Sequence, residues 1–180
     1  RNSKPERSTT PVAGGYGPLI ADPNKVLDLP AGFSAVVLQR AGDSLSDGYT
    51  MPGQPDGMTC HTDSEGNYVL LRNHELTTRD WCERSGIPIN EYTDKQKLYH
   101  PEKLGGVSRV VVNPAQLNAA LKTSQNGVAA IVSSNMVLIG TQNNCSGGVV
   151  EDGLISCEES TQDQHGYAFH TRIDDAQIVD

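Results

Sequence analysis

The chain of 180 residues is long enough for one domain with a core, and its formal net charge of −8 argues against nucleic acid or anionic membrane surfaces as partners. No apolar run approaches the roughly 18 residues of a membrane span. Hydrophobic residues make up 36% and aromatics 5%, with 18 glycines and 10 prolines, a turn-rich composition that leans towards strands.

Residues 1–15 are polar and rich in Ser, Thr, Pro and Gly, which predicts a flexible arm. Arg1 is not an initiator methionine and no apolar signal segment follows it, as expected of a mature exported protein or a piece of a longer one. The β-branched run Phe33–Leu38 predicts a strand. "PGQPDGMTCHTDSEGNYVLLRNHE" predicts a hairpin, because Ser64–Asn67 supplies the Gly/Asn turn that such a connection needs. Residues 77–104 are charged, lack period-2 alternation and predict a long excursion between strands.

Strands are expected again at "GGVSRVVVN", "GVAAIVSS", "MVLIGT", "GLISCEE" and "YAFHTRI". "PAQLNAALKTS" has Leu117, Ala120 and Leu121 at helical spacing, enough for a short helical turn. Short strands between Gly, Pro, Asn and Asp turns predict an all-β sandwich, barrel or propeller.

Three clusters carry chemistry. Cys145 follows two asparagines and precedes Ser-Gly-Gly, which predicts a tight loop whose amides favour a thiolate, the metal-binding form of the side chain. A buried structural cysteine or half of a disulfide is the plainer alternative. Glu158 and Glu159 are adjacent on an expected strand and should point to opposite faces, so that only one lines a given site. "LLRNHE" ends an apolar strand in Arg72, Asn73, His74 and Glu75, which offer a phosphate-binding guanidinium, oxygen ligands and an imidazole. His165 before Gly166 is either an exposed turn residue or a neighbour of a site. The four cysteines, at 60, 82, 145 and 157, allow three pairings, and no Cys-x-x-Cys spacing supports a zinc ribbon. Cys60 and Cys82, beside the excursion, are expected as a disulfide.

Taken in order, "YGPLIADPNKVLDLPAGFSAVVLQRAGDSLSDG", "PGQPDGM", "LLRNHEL", "GGVSRVVVNP", "NCSGG", "LISCEES" and "HGYAF" resemble the PhoX-type bacterial alkaline phosphatases. The resemblance spans about residues 16–173. It implies an exported, periplasmic or secreted phosphomonoester hydrolase, built as a six-bladed β-propeller around a cluster of Fe3+ and Ca2+. Carried over, Cys145 resembles the iron-binding cysteine. Glu158 and Glu159 resemble carboxylates reaching iron or calcium, with Glu159 the stronger candidate for iron, and Glu75 resembles the acid of the earlier motif. Arg72, Asn73, His74, Asn144 and His165 stand as candidates around the metals or the substrate. Such cations would turn an acidic chain into a trap for a phosphate dianion.

At roughly 40 to 50 residues per blade, the chain is expected to hold about two to three of the six blades, as the N-terminal portion of a longer protein. It should then be inactive alone, the remainder of the propeller supplying further ligands. Two alternatives remain at this stage. A calcium-dependent propeller lactonase or esterase would need Glu, Asn and Asp but no thiolate, and a non-catalytic propeller would serve as a binding module.

Overall fold

The computed structural model describes residues 15–92, 98–123 and 126–177. The expected arm at 1–15 therefore lies, but for Gly15, outside the described residues. Strands β1 (Leu19–Ile20) and β2 (Leu29–Pro30) form a small antiparallel pair. Strands β3 (Pro55–Thr62), β4 (Tyr68–His74), β5 (Gly105–Val112) and β6 (Ile131–Thr141) form a four-stranded antiparallel sheet in chain order. Strands β7 (Asn144–Val150), β8 (Gly153–Glu158) and β9 (Ala168–Arg172) form a second sheet, again in chain order. No sheet closes into a barrel among the described residues. A four-stranded meander followed by the start of another is the blade-by-blade architecture of part of a β-propeller.

The expected hairpin forms as β3–β4, with Thr62 opposite Tyr68. Its turn is organised by Asp63, whose carboxylate accepts from the amides of Glu65 and Asn67. Gly66 supplies the positive φ of 84° that the chain reversal requires.

β4 and β5 are buried on both faces because each face packs against something different. Towards one side, Val110, Val112, Met136 and Ile139 join Leu45, Met51 and Tyr92. Towards the other, Leu71, Val107 and Val137 meet Leu154, with Phe169 and Ile173 of the second sheet packed against them. This second interface holds the two sheets together. Truncating a fully buried leucine such as Leu71 to alanine typically costs about 2–5 kcal/mol, a large share of a domain's usual stability of about 5–15 kcal/mol.

Three local expectations are corrected. Phe33–Leu38 is not a strand. Its β-branched residues keep it extended, but among the described residues its backbone bonds beyond the segment are a turn bond from Phe33 N–H to the Pro30 carbonyl and one from Gly127 N–H to the Val37 carbonyl, which make no ladder. The segments expected as two strands at 127–141 are a 3-10 turn (Gly127–Ala130) running into the single strand β6. "PAQLNAALKT" is a ten-residue helix, α2 (Pro114–Thr123), and not a short turn. Asn113 caps it by accepting from the amides of Ala115 and Gln116, and Pro114 begins it where the missing amide costs nothing.

Between β4 and β5 the described residues carry one helix, α1 (Arg79–Arg84), and no strand. An isolated bridge between Thr78 and Lys103 closes the neck of this segment, and Leu76, Cys82 and Leu104 form its own small core. All four cysteines are free. The expected Cys60–Cys82 disulfide is absent because Cys82 is buried in that core while Cys60 faces solvent on β3.

His74 ends β4 fully buried, with Nδ1 3.0 Å from the Gly53 carbonyl oxygen and Nε2 2.8 Å from the Ser108 hydroxyl. Burial drives its pKa down to about 3, so the ring is neutral in the folded chain. A histidine with a depressed pKa stabilises the fold fully above its ordinary pKa near 6.5, and that contribution is lost as the pH falls towards 3. The urea-unfolding midpoint should therefore fall between pH 6.5 and 5, and fall less in His74→Gln. Parallel declines in the two proteins would show that His74 does not carry this dependence.

Candidate metal centre

The second sheet reaches the first through a bulge. The β7–β8 register runs Asn144 opposite Glu158 and Cys145 opposite Cys157, then shifts before Gly148 pairs with Ile155. Ser146 and Gly147 occupy that shift with φ of 48° and 96°. A Cβ on Gly147 would lie 1.8 Å from the Ile155 carbonyl oxygen, so only glycine fits there. The bulge presses on the start of β3, where a Cβ on Gly57 would sit 3.0 Å from the Ser146 carbonyl oxygen. Asn73 donates from Nδ2 to that same Ser146 oxygen over 2.8 Å, which ties the bulge to the end of β4 as well.

These contacts bring the start of β3, the end of β4 and the start of β7 to one point between the sheets. Asp56, Glu75 and Cys145 converge there, with one ligand atom from each lying within 4.8 Å of the others. All three are half-buried. Two like charges this close repel by about 1 kcal/mol even under full water screening, so three anions cannot coexist there without compensation.

In this chain the compensation is protonation. The Asp56 carboxylate beside the Cys145 thiol, partial burial and the further negative charges of Glu159 and Glu75 push the thiol's pKa up to about 12. Burial first, then hydrogen bonding to Asp56 and the charges of Asp56 and Glu159, raises Glu75 above the usual carboxylate range. Asp56 is the anion of the group. The Cys145 thiol lowers its pKa most, with help from the Gly57 amide at 2.6 Å and from Glu75.

This reverses the thiolate expected at Cys145 from sequence. Cys145 lies on a bulged strand and not in a tight loop, and its dominant neighbours are acids rather than amides. Only added positive charge would make the thiolate favourable at neutral pH.

The glutamate pair divides between faces. Glu159 is exposed, lies two residues beyond Cys157 on the face of Cys145, and acts electrostatically on both Cys145 and Glu75. Glu158 points the other way and is buried. Its Oε1 accepts from the Gln142 amide at 2.9 Å and lies 3.0 Å from His165 Nδ1, while its Oε2 accepts from the amides of Gly166 and Tyr167. Both oxygens are thus occupied by the protein, and Glu158 anchors the loop carrying His165.

Asn144 is buried on the face of Glu158, bonding to Thr141 and, over 2.9 Å, to the Ser156 hydroxyl. Arg72 lies on the opposite face of β4 from Glu75, near Gln39 and Met51, and His74 is enclosed on that same side. Asn73 shares the Glu75 side of the strand, and its Oδ1 is buried without a hydrogen-bond partner among the described residues. Asp56 is the cluster member that sequence reading did not single out. Its signal was the Pro-Asp-Gly of "PGQPDGM", where a glycine follows the acid at the point of closest approach to β7.

A family model described as alkaline phosphatase PhoX matches residues 14–178. The chain belongs to the PhoX alkaline phosphatase family. No curated protein and no solved structure matches it. The match runs through β3, β4, β7 and β8, the strands that build the acid–thiol cluster of this family member. No helix among the described residues is long and apolar enough to cross a membrane.

This arrangement makes Asp56 the group that keeps Cys145 protonated. Asp56→Asn should lower the Cys145 pKa and speed its alkylation by iodoacetamide at pH 9 by at least about tenfold, since reactivity follows the thiolate fraction. Mass-spectrometric rates on Cys145 measure this, with exposed Cys60 as internal reference. An unchanged rate would mean that Asp56 does not control the thiol.

Proposed function

We propose that this chain forms part of the metal centre of a phosphomonoester hydrolase, with Cys145, Glu75 and Asp56 binding iron and calcium ions and Glu159 at the rim. The observation that carries the proposal is the convergence of one thiol and two carboxyl groups within 4.8 Å, in a group too negative to ionise by itself. A soft thiolate beside hard carboxylate oxygens suits iron with calcium better than calcium alone or zinc. The unpartnered Asn73 Oδ1 adds a neutral oxygen donor next to the bulge that carries Cys145. The same donor set favours this reading over a calcium-only lactonase, which has no use for the thiol.

When bound, such cations neutralise phosphate charge and polarise the phosphoryl group for attack by an oxygen nucleophile. The chain's own residues then have defined tasks. Cys145 and Glu75 give up the protons they hold in the metal-free state, and this release makes ion binding stronger at higher pH. Asn73 and Gly57 hold the bulge so that the Cys145 sulfur faces Asp56 and Glu75. Glu158, pinned by His165 and three amides, fixes the end of β8 and so the direction in which Glu159 leaves it. Substrates in this reading are small phosphomonoesters, released as inorganic phosphate. The exported location and the contribution of further propeller blades belong to the same proposal.

The full-length protein, with the further blades that this proposal includes, should contain iron and calcium when purified without chelators and hydrolyse an aryl phosphate, whereas residues 1–180 alone should not. Cys145→Ser should lose the iron and at least about tenfold of the activity, because an alcohol is a poor substitute for a thiolate ligand. Elemental analysis and a phosphatase assay of the two proteins decide the matter. Stoichiometric zinc without iron, or a serine variant with undiminished iron and turnover, would sink the proposal.

A further inference from the structure

Cys145 has a second cysteine across the strand from it. Cys157 lies directly opposite Cys145 in the antiparallel β7–β8 register. Directly opposed residues project from the same face of a sheet with Cα atoms about 4.5–5.5 Å apart, and disulfides bridge Cα atoms about 4.4–6.8 Å apart. Both thiols are free and partly exposed. The other two cysteines are placed differently: Cys82 is enclosed in the small core of the excursion, and Cys60 faces solvent on β3 opposite Leu70.

We propose that Cys145 and Cys157 are a modification site, a thiol pair that a low-molecular-weight disulfide oxidises to a reversible cross-strand disulfide. The Cys157 sulfur attacks one sulfur of the oxidant, whose S–S bond breaks and whose first thiolate leaves. The Cys145 sulfur then attacks the Cys157 sulfur of this mixed disulfide, and the second thiolate leaves. The two protons lost by the cysteines are taken up by the two departing thiolates, and two electrons pass to the oxidant. Partial exposure of the pair makes such a bond open to reduction, the property of labile rather than structural disulfides. On the metal-centre reading, oxidation also removes the only thiol from the ligand group, and reduction restores it.

The test uses the full chain carrying Cys60→Ser, treated with chelator and then with glutathione disulfide. The sequence between the two cysteines contains Glu151 and no Lys or Arg, so cleavage after glutamate separates them, whereas trypsin does not. The expected result is a reducible cross-link joining the Cys145 and Cys157 peptides, replaced in Cys157→Ser by a glutathione adduct or a free thiol on Cys145. Failure to cross-link, with both thiols still free or separately glutathionylated, would overturn the proposal. Titration with Cd2+, a thiol-seeking and redox-inert probe, separates this from the metal reading. The reduced chain should show a cadmium–thiolate ultraviolet band that the oxidised chain lacks and that reductant restores. A cross-link with an undiminished cadmium band would uphold the disulfide and count against Cys145 as a metal ligand.

Discussion

The candidate site depends on a close approach of two backbones, so tight that a Cβ on Gly57 would sit 3.0 Å from the Ser146 carbonyl oxygen. The bulge at Ser146–Gly147 lies against Gly57, and that contact draws the start of β3 to the end of β4 and the start of β7. Asp56 precedes the contact glycine, Cys145 precedes the bulge, and Glu75 follows the last residue of β4. Their meeting is thus a product of backbone packing between the sheets, which the apolar contact of Leu71, Val107 and Val137 with Leu154 supports from below. A side chain at residue 57 would press on the bulge across the two sheets, and one at residue 147 would break the β7–β8 pairing that shapes the bulge, even though neither residue has a functional group.

The site itself is held in a state of unfavourable charge. The Asp56 pKa is lowered by Cys145, the Gly57 amide and Glu75, while those of Cys145 and Glu75 are raised, so the negative charge gathers on Asp56. Such a group is poorly suited to structure, where an apolar trio would pack at less cost, and well suited to cations, which relieve the repulsion. On the proposed reading the same arithmetic would let an acidic chain deal with an acidic substrate, the sign at the site being set by the cations the acids would bind.

Much of the fold could be read from the sequence where the signal was local. Alternation and the Ser64–Asn67 turn located β3, β4 and β5, and adjacent glutamates on a strand had to face opposite ways, as Glu158 and Glu159 do. What stayed hidden depended on partners distant in sequence. Phe33–Leu38 has strand composition and no strand, since a ladder needs a neighbour that composition does not reveal. The protonated state of Cys145 depends on Asp56, 89 positions away in the chain and placed beside it only by the bulge. Family resemblance pointed to Cys145 and Glu75, but Asp56 could be seen only once β3 and β7 were in contact.

On the proposed reading, the cluster of Asp56, Glu75 and Cys145 is a cation site containing iron. Diffraction from crystals of the protein grown with iron and calcium, recorded on both sides of the iron absorption edge, tests it most directly. The account predicts an iron-specific anomalous peak at bonding distance from the Cys145 sulfur and from a carboxylate oxygen of Asp56 or Glu75. An iron peak bound elsewhere, with none among these three side chains, would contradict it.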